Sequence, residues 1–94
     1  MKIVINVRFG GFGLSEKAYK YLGLKWDGYG YAYSHNDDEE RTDIKLVECV
    51  EKLGEEASGE LAKLKVVEIP DGIDWYIHDY DGVEEIHEEH RSWQ

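Results

Sequence analysis

The chain has 94 residues, which is the size of one domain (1–94) with a modest core. Its net charge of −10 disfavours the binding of nucleic acid, because phosphate contacts need clustered Lys and Arg. No apolar run is long enough to cross a membrane, and the single cysteine, Cys49, cannot form an internal disulfide. We therefore expect a cytoplasmic protein without a membrane or nucleic-acid partner.

The negative charge is concentrated in the later part of the chain. Residues 1–35 carry +3, residues 36–70 carry −6 and residues 71–94 carry −7. Such a surface favours contact with basic protein surfaces, including ones that normally hold nucleic acid. The simpler interpretation is a solvated acidic surface, since charge runs are usually exposed.

A strand followed by a helix is predicted at the start of the chain. Residues 2–7 are rich in β-branched side chains and favour a strand. Ser15 is suited to cap a helix that begins at Glu16, and Gly23 is suited to end it.

The loop between this strand and helix contains Gly10, Gly11 and Gly13. Because such a loop directs backbone N–H groups and the positive end of a helix at its contents, it could hold a phosphate with Arg8 as charge partner. The spacing matches neither of the glycine motifs that bind nucleotides. The alternative is a tight turn with Phe9 and Phe12 folded into the core.

A row of tyrosines follows the first helix. Tyr29, Tyr31 and Tyr33 alternate after an Asp27-Gly28 turn signal, so on a strand they would share one face. They could stack on a ring or fill a partner's pocket, or pack against the sheet as a half-buried strand. The candidate ligand site is Arg8, Gly10, Gly11, Gly13, Ser15, Tyr29, Tyr31 and Tyr33.

An acidic segment then leads into a second helix. The acids Asp37, Asp38, Glu39 and Glu40 lack the spacing of a calcium loop and are predicted to be exposed. Thr42 or Asp43 should cap the helix, and Gly54 should end it. Helical spacing places Leu46, Cys49, Val50 and Leu53 on one buried face, where Cys49 acts as a small hydrophobe.

The remainder predicts strands. The second half of residues 61–69 favours a strand that ends at Pro70. Residues 73–78, the Asp-Gly turn at 79–82 and residues 83–91 predict a hairpin. A short helix over 83–91 is the competing prediction. In the hairpin, Glu84 and Ile86 would share one face, and Glu85 and His87 the other.

The sequence singles out no catalytic residue, metal site or cofactor. His87-Glu88-Glu89-His90 is one residue short of the zinc motif H-E-x-x-H, although His78 or His35 could act as a third ligand. No serine lies in a nucleophile-elbow context. We expect no metal, no cofactor and no enzyme activity.

The fold class expected from these segments is α+β: two helices on a mixed, mostly antiparallel sheet of about five strands. A small sheet leaves an exposed strand edge, and that edge would allow a homodimer.

The whole chain resembles a family of small, mostly uncharacterised proteins encoded by bacteriophages and prophages of Gram-positive bacteria. The matching segments are Lys2–Asn6, Gly10–Ser15, Arg41–Asp43, Leu53–Glu55, Leu64–Asp71, Tyr80–Gly82 and His90–Trp93. The resemblance implies a phage accessory protein that acts in the cytoplasm of a bacterial host. Such proteins are often inhibitors of host machinery, including defence systems.

Three functions follow from these observations. The first is a non-catalytic protein that binds and inhibits a host protein through an acidic, aromatic-bearing surface. Its candidate contact residues are Asp37, Asp38, Glu39, Glu40, Glu85, Glu88, Glu89, Arg91 and Trp93. The alternatives are a binder of a nucleotide or nucleotide-derived signal at the glycine-rich loop, and a metal-assisted hydrolase.

Overall fold

The computed structural model describes residues 1–33 and 38–88 and the backbone of 92–93. Along the chain the elements are β1 Lys2–Asn6, α1 Glu16–Leu22, α2 Ile44–Leu53, β2 Leu64–Glu68, β3 Tyr76–Tyr80, β4 Val83–His87 and β5 Ser92–Trp93. Two 3₁₀ turns, Asp38–Thr42 and Gly54–Ala57, lie on either side of α2.

The predicted α+β class and its two helices are confirmed, but the single mixed sheet is wrong. The strands form two separate antiparallel sheets. In one, β1 pairs with β2 from Lys2 opposite Glu68 to Asn6 opposite Leu64. In the other, β3 pairs with β4 as a hairpin, and the two-residue β5 pairs with the end of β4.

The predicted helix boundaries are confirmed by their caps. The Ser15 hydroxyl accepts the N–H of Ala18 (3.1 Å), and the chain leaves α1 at Gly23 in the left-handed conformation. Asp43 rather than Thr42 caps α2, since its carboxylate accepts the N–H of Lys45 (3.3 Å). These bonds satisfy backbone groups that a helix end leaves without partners.

Each face of the β1–β2 sheet covers its own apolar cluster, because side chains alternate along a strand. The helical cluster contains Val4, Phe12, Leu14, Ala18, Leu46, Cys49 and Val50. The hairpin cluster contains Ile3, Ile5, Val67, Ile69 and Ile86, with Trp75 and Ile77 packed against it. Phe12 is therefore core, as the tight-turn interpretation required, whereas Phe9 is 65% exposed.

The Asp-Gly hairpin is confirmed, but its first strand is Tyr76–Tyr80 instead of 73–78, and its second strand ends at His87. Asp81 and Gly82 form the turn with φ values of 52° and 88°. Residues 83–87 are a strand and not a helix, and Glu84 and Ile86 share its buried face. Residues 89–91 lie outside the described part of the chain.

A buried ion pair explains why the two sheets stay separate. The guanidinium of Arg41 binds the carboxylate of Glu84 through two bonds of 2.7 and 2.9 Å. Arg41 also donates to the carbonyl of Val4 (3.3 Å), and Glu84 accepts the N–H of Asn6 (2.8 Å). Side chains thus satisfy the outer edge of β1, where a continuous sheet would place another strand.

The 3₁₀ turn that carries Arg41 also closes the edge of the hairpin. The Asp38 carboxylate accepts the N–H of Ile77 in β3 (2.9 Å). Arg41 is fixed further by its Nε, which donates to the carbonyl of Tyr33 (2.8 Å), and by the ring of Phe12, 3.8 Å from its guanidinium carbon. This turn therefore joins both sheets through side chains.

Removing the charge of Glu84 should cost far more than removing that of an exposed acid. Glu84→Gln leaves Arg41 buried without a counter-charge, and we expect the free energy of unfolding to fall by about 3–5 kcal/mol. The matched control is Glu56→Gln, whose exposed ion pair with Lys17 (2.8 Å) contributes about 0–1 kcal/mol. Urea unfolding followed by circular dichroism measures both. Equal losses in the two variants would contradict the role given to the buried pair.

A second prediction concerns the hairpin turn and the glycine loop. A Cβ on Gly82 would lie 2.8 Å from Cα of Gly11, whereas one on Gly72 would meet nothing within 4 Å. Both glycines have similar φ values, 88° and 81°, so strain from backbone conformation is matched. Gly82→Ala should therefore destabilise the fold by about 1–3 kcal/mol more than Gly72→Ala in the same urea assay. Equal losses of unfolding free energy in the two variants would mean that the close approach of Gly82 to Gly11 does not affect stability.

Candidate functional site

The tyrosine segment is not the strand that its alternation predicted. Residues 24–33 contain no strand: the chain bends at residues 28–29 and turns at 32–33, and Gly28 and Gly30 have φ values of 87° and 84°, which no strand residue adopts. Tyr33 itself has a φ of 69°. The three tyrosines consequently do not share one face, and that prediction is wrong.

Asp27 organises this segment. Its Oδ1 accepts the N–H groups of Tyr29 (2.7 Å) and Gly30 (2.6 Å), and these two bonds form an Asx turn. Its Oδ2 accepts the hydroxyl of Tyr19 (2.9 Å), which in turn accepts the N–H of Ala32 (2.8 Å). The backbone bonds from Gly30 and Tyr29 lower the pKa of Asp27 to about 2.

Tyr29 and Tyr31 form an exposed aromatic pair at the tip of this turn. Their ring centroids lie 5.8 Å apart with planes 13° from parallel. They are 73% and 55% exposed, which is high for two neighbouring aromatic side chains. The backbone N–H groups of Tyr29 and Gly30 are bonded to Asp27, so hydrogen bonds hold the backbone beneath the pair.

The glycine-rich loop lies beside this pair. Two backbone bonds hold the loop against its neighbours: Leu14 N–H to the Gly30 carbonyl (2.8 Å) and Gly59 N–H to the Gly13 carbonyl (2.9 Å). Between loop, tyrosines and residues 59–62 is a cavity of about 210 Å³. The structure therefore brings together five of the predicted ligand residues: Gly10, Gly11, Gly13, Tyr29 and Tyr31.

The other predicted ligand residues lie elsewhere. Ser15 caps α1, and its hydroxyl donates to the Glu56 carbonyl (2.5 Å). The Tyr33 hydroxyl donates to Asp43 (2.9 Å), where burial and the carboxylate raise its pKa to about 12. Arg8 lines a different cavity. The anticipated charge partner for a phosphate is thus absent from the tyrosine cavity.

The cavity wall carries a negative charge, whereas a phosphate site carries a positive one. Glu60 is the only charged residue among the described residues that line it. Neither Gly59 nor Glu60 was singled out from the sequence, since a Ser-Gly-Glu segment reads as an ordinary connection. In the sequence, Asp27 contributes only to the Asp27-Gly28 turn signal, although Asp before Gly is typical of an Asx turn.

The predicted acidic contact residues divide into structural and exposed ones. Asp38 binds the β3 backbone, and Glu85 lies 2.9 Å from His87 Nε2. Glu39 and Glu40 are exposed, and Glu88 is half-buried. Asp37, Glu89, Arg91 and the side chain of Trp93 lie outside the described residues. Among the described residues of this set, Glu39 and Glu40 are the exposed ones.

The described histidines do not form a metal site. The rings of His78 and His87 stack with centroids 4.9 Å apart and planes 5° from parallel. Within residues 1–33 and 38–88 no group of three His, Cys, Asp or Glu side chains is placed to hold a metal ion. His35 and His90 lie outside that part. Burial raises the pKa of the Cys49 thiol, which disfavours its reactive thiolate.

Helices of the described chain are too short and too polar to cross a membrane. Comparison of the sequence with protein-family models, curated proteins and solved structures gave no match in any of the three. The resemblance to phage-encoded proteins therefore stays a prediction, and the candidate site depends on its own geometry.

The Asp27 turn makes a prediction about pH. Because the pKa of Asp27 is about 2 in the folded chain and 3.8 in the unfolded reference, its stabilisation is complete above pH 4 and is lost as the pH falls toward 2. Asp27→Asn removes that titration. The difference in unfolding free energy between wild type and variant should therefore shrink between pH 5 and pH 2 in urea titrations. A difference that stays constant over this range would contradict the role of the carboxylate charge.

Proposed function

We propose that this protein is a non-catalytic binding protein that contacts a partner protein through the Tyr29–Tyr31 pair, with the net negative charge of the chain attracting that partner. The observation that carries the proposal is the pair itself: two exposed, stacked tyrosines on a turn that Asp27 holds in place. Tyrosine is enriched among residues that contribute most to protein–protein binding, because it buries a large area at a small entropic cost.

The charge of the chain supports a basic partner. A net charge of −10 on 94 residues attracts a positive surface over a distance of about 8–10 Å at physiological salt. Complementary charge raises the rate of encounter and rejects acidic competitors. The tyrosines would then supply the short-range contact that long-range attraction lacks.

The resemblance to phage-encoded proteins supports a host protein as the partner and inhibition as the outcome. A partner that normally holds nucleic acid would present the basic surface that this chain attracts, and occupying that surface would inhibit it. The proposal for binding is separable from this biological role, because it depends on the tyrosine pair and the charge.

A small-ligand binder is the second candidate, and the cavity beside the glycine loop favours it. The cavity joins three glycines to the two tyrosines, as the ligand hypothesis anticipated. Its volume of about 210 Å³ is below the range of about 300–1,000 Å³ typical of pockets for small molecules. Without a Lys or Arg on its wall, it supports a nucleotide poorly.

Affinity capture from a lysate of a Gram-positive bacterium tests the proposed function. The baits are the wild-type chain, the double variant Tyr29→Ala/Tyr31→Ala, and the control Tyr76→Ala. Tyr76 is also exposed but lies at the end of the hairpin away from Gly82 and the glycine loop. We expect a protein that the wild type and the control retain, that the double variant loses, and that elutes as salt is raised.

Two outcomes would contradict the proposal. One is a wild-type bait that retains no protein above an unrelated bait of equal charge. The other is equal retention by wild type and double variant with both folded by circular dichroism. Native mass spectrometry of the wild-type bait before capture covers the second candidate, since a bound small molecule would appear as excess mass.

A further inference from the structure

The tyrosine cavity has the chemistry of a pocket for a cation. We propose that it holds an arginine or lysine side chain of the partner protein, so that a single basic residue anchors the complex. This inference rests on the proposed function and goes further, because it names the group that enters the cavity. Three properties of the cavity support it: its aromatic wall, its charge and its size.

The aromatic wall is formed by Tyr29 and Tyr31. Both residues line the cavity, and their rings are stacked with planes only 13° apart. The negative face of an aromatic ring attracts an ammonium or guanidinium group placed within about 6 Å of its centre. Because the Asp27 turn already holds the backbone, binding there should cost little backbone conformational entropy.

The charge on the wall comes from Glu60. It has no ion-pair partner in the described part of the chain, so its carboxylate is available to a cation. Two basic residues, Arg8 and Lys63, line a second cavity that also includes Glu60, but neither lines the tyrosine cavity. An anionic ligand would meet a like charge here, whereas a cation meets an opposite one.

The size of the cavity suits one side chain. About 210 Å³ holds a guanidinium or ammonium group with several methylenes, but it is small for a complete nucleotide. Part of the wall comes from Gly10, Gly11 and Gly13, which have no side chains. The chain of an entering residue can therefore approach the loop closely.

Titration of the ¹⁵N-labelled 94-residue chain with Nα-acetyl-arginine amide tests the inference by NMR. Nα-acetyl-citrulline amide is the matched control ligand, because it has nearly the same shape without the charge. We expect the arginine amide to shift the backbone signals of Gly10, Gly11, Tyr29 and Tyr31, and the citrulline amide to shift them at least several-fold less. Nα-acetyl-lysine amide is titrated in the same way, and its affinity is compared with that of the arginine amide.

Variants locate the binding site. Glu60→Gln and Tyr29→Leu should each weaken binding of the arginine amide by about 2- to 30-fold. Glu56→Gln, which removes an exposed acid outside the cavity, should leave the affinity within about twofold. Equal binding of the citrulline amide, shifts that avoid the cavity, or no shift with any of the amides would overturn the inference.

The outcome of the titration can be separated from the outcome of the affinity capture that tests the proposed function. It uses no partner protein, so an empty cavity with tyrosine-dependent capture would remove only the cation pocket. Conversely, cation binding without any captured protein would overturn the proposed function and leave the pocket in place.

Discussion

The contact on which the arrangement of the fold depends is the buried ion pair of Arg41 and Glu84. Backbone groups at the outer edge of β1 need partners once they are removed from water, and this pair supplies them for Val4 and Asn6. A side-chain pair in this position replaces a strand, so the hairpin packs against the β1–β2 sheet instead of extending it. Removing either charge would leave the other buried, which makes the arrangement specific to both residues.

The side chain of Asn6 connects the hairpin turn to the segment that leads into the glycine loop. Its side-chain amide donates to the carbonyls of Gly82 (2.6 Å) and Arg8 (2.7 Å), while its oxygen accepts the N–H of Lys63 (2.8 Å). Gly82 approaches the backbone of Gly11 too closely for a side chain. Tertiary contacts with the hairpin therefore shape the loop that lines the cavity.

Hydrogen bonds also hold the backbone that carries the tyrosine pair. Exposed aromatic side chains on a mobile segment would lose entropy on binding, but Tyr29 and Tyr31 lie on a turn closed by Asp27. The same geometry places Glu60 and not Arg8 beside the rings. The charge on this wall therefore opposes a phosphate and favours the cation that we propose, in agreement with the net charge of −10 on the whole chain.

The sequence by itself determined the elements whose hydrogen bonds are local. Ser15, Gly23, Asp43 and the Asp81-Gly82 turn were predictable because each bonds or turns within a few residues. The tyrosine strand failed, since Asp27 and two left-handed glycines override the alternation of apolar residues. Only the tertiary structure could pair Arg41 with Glu84, which lie 43 positions apart, or place Glu60 beside Tyr31. Charged residues read one at a time are predicted to face solvent, and only folding shows which of them are buried together.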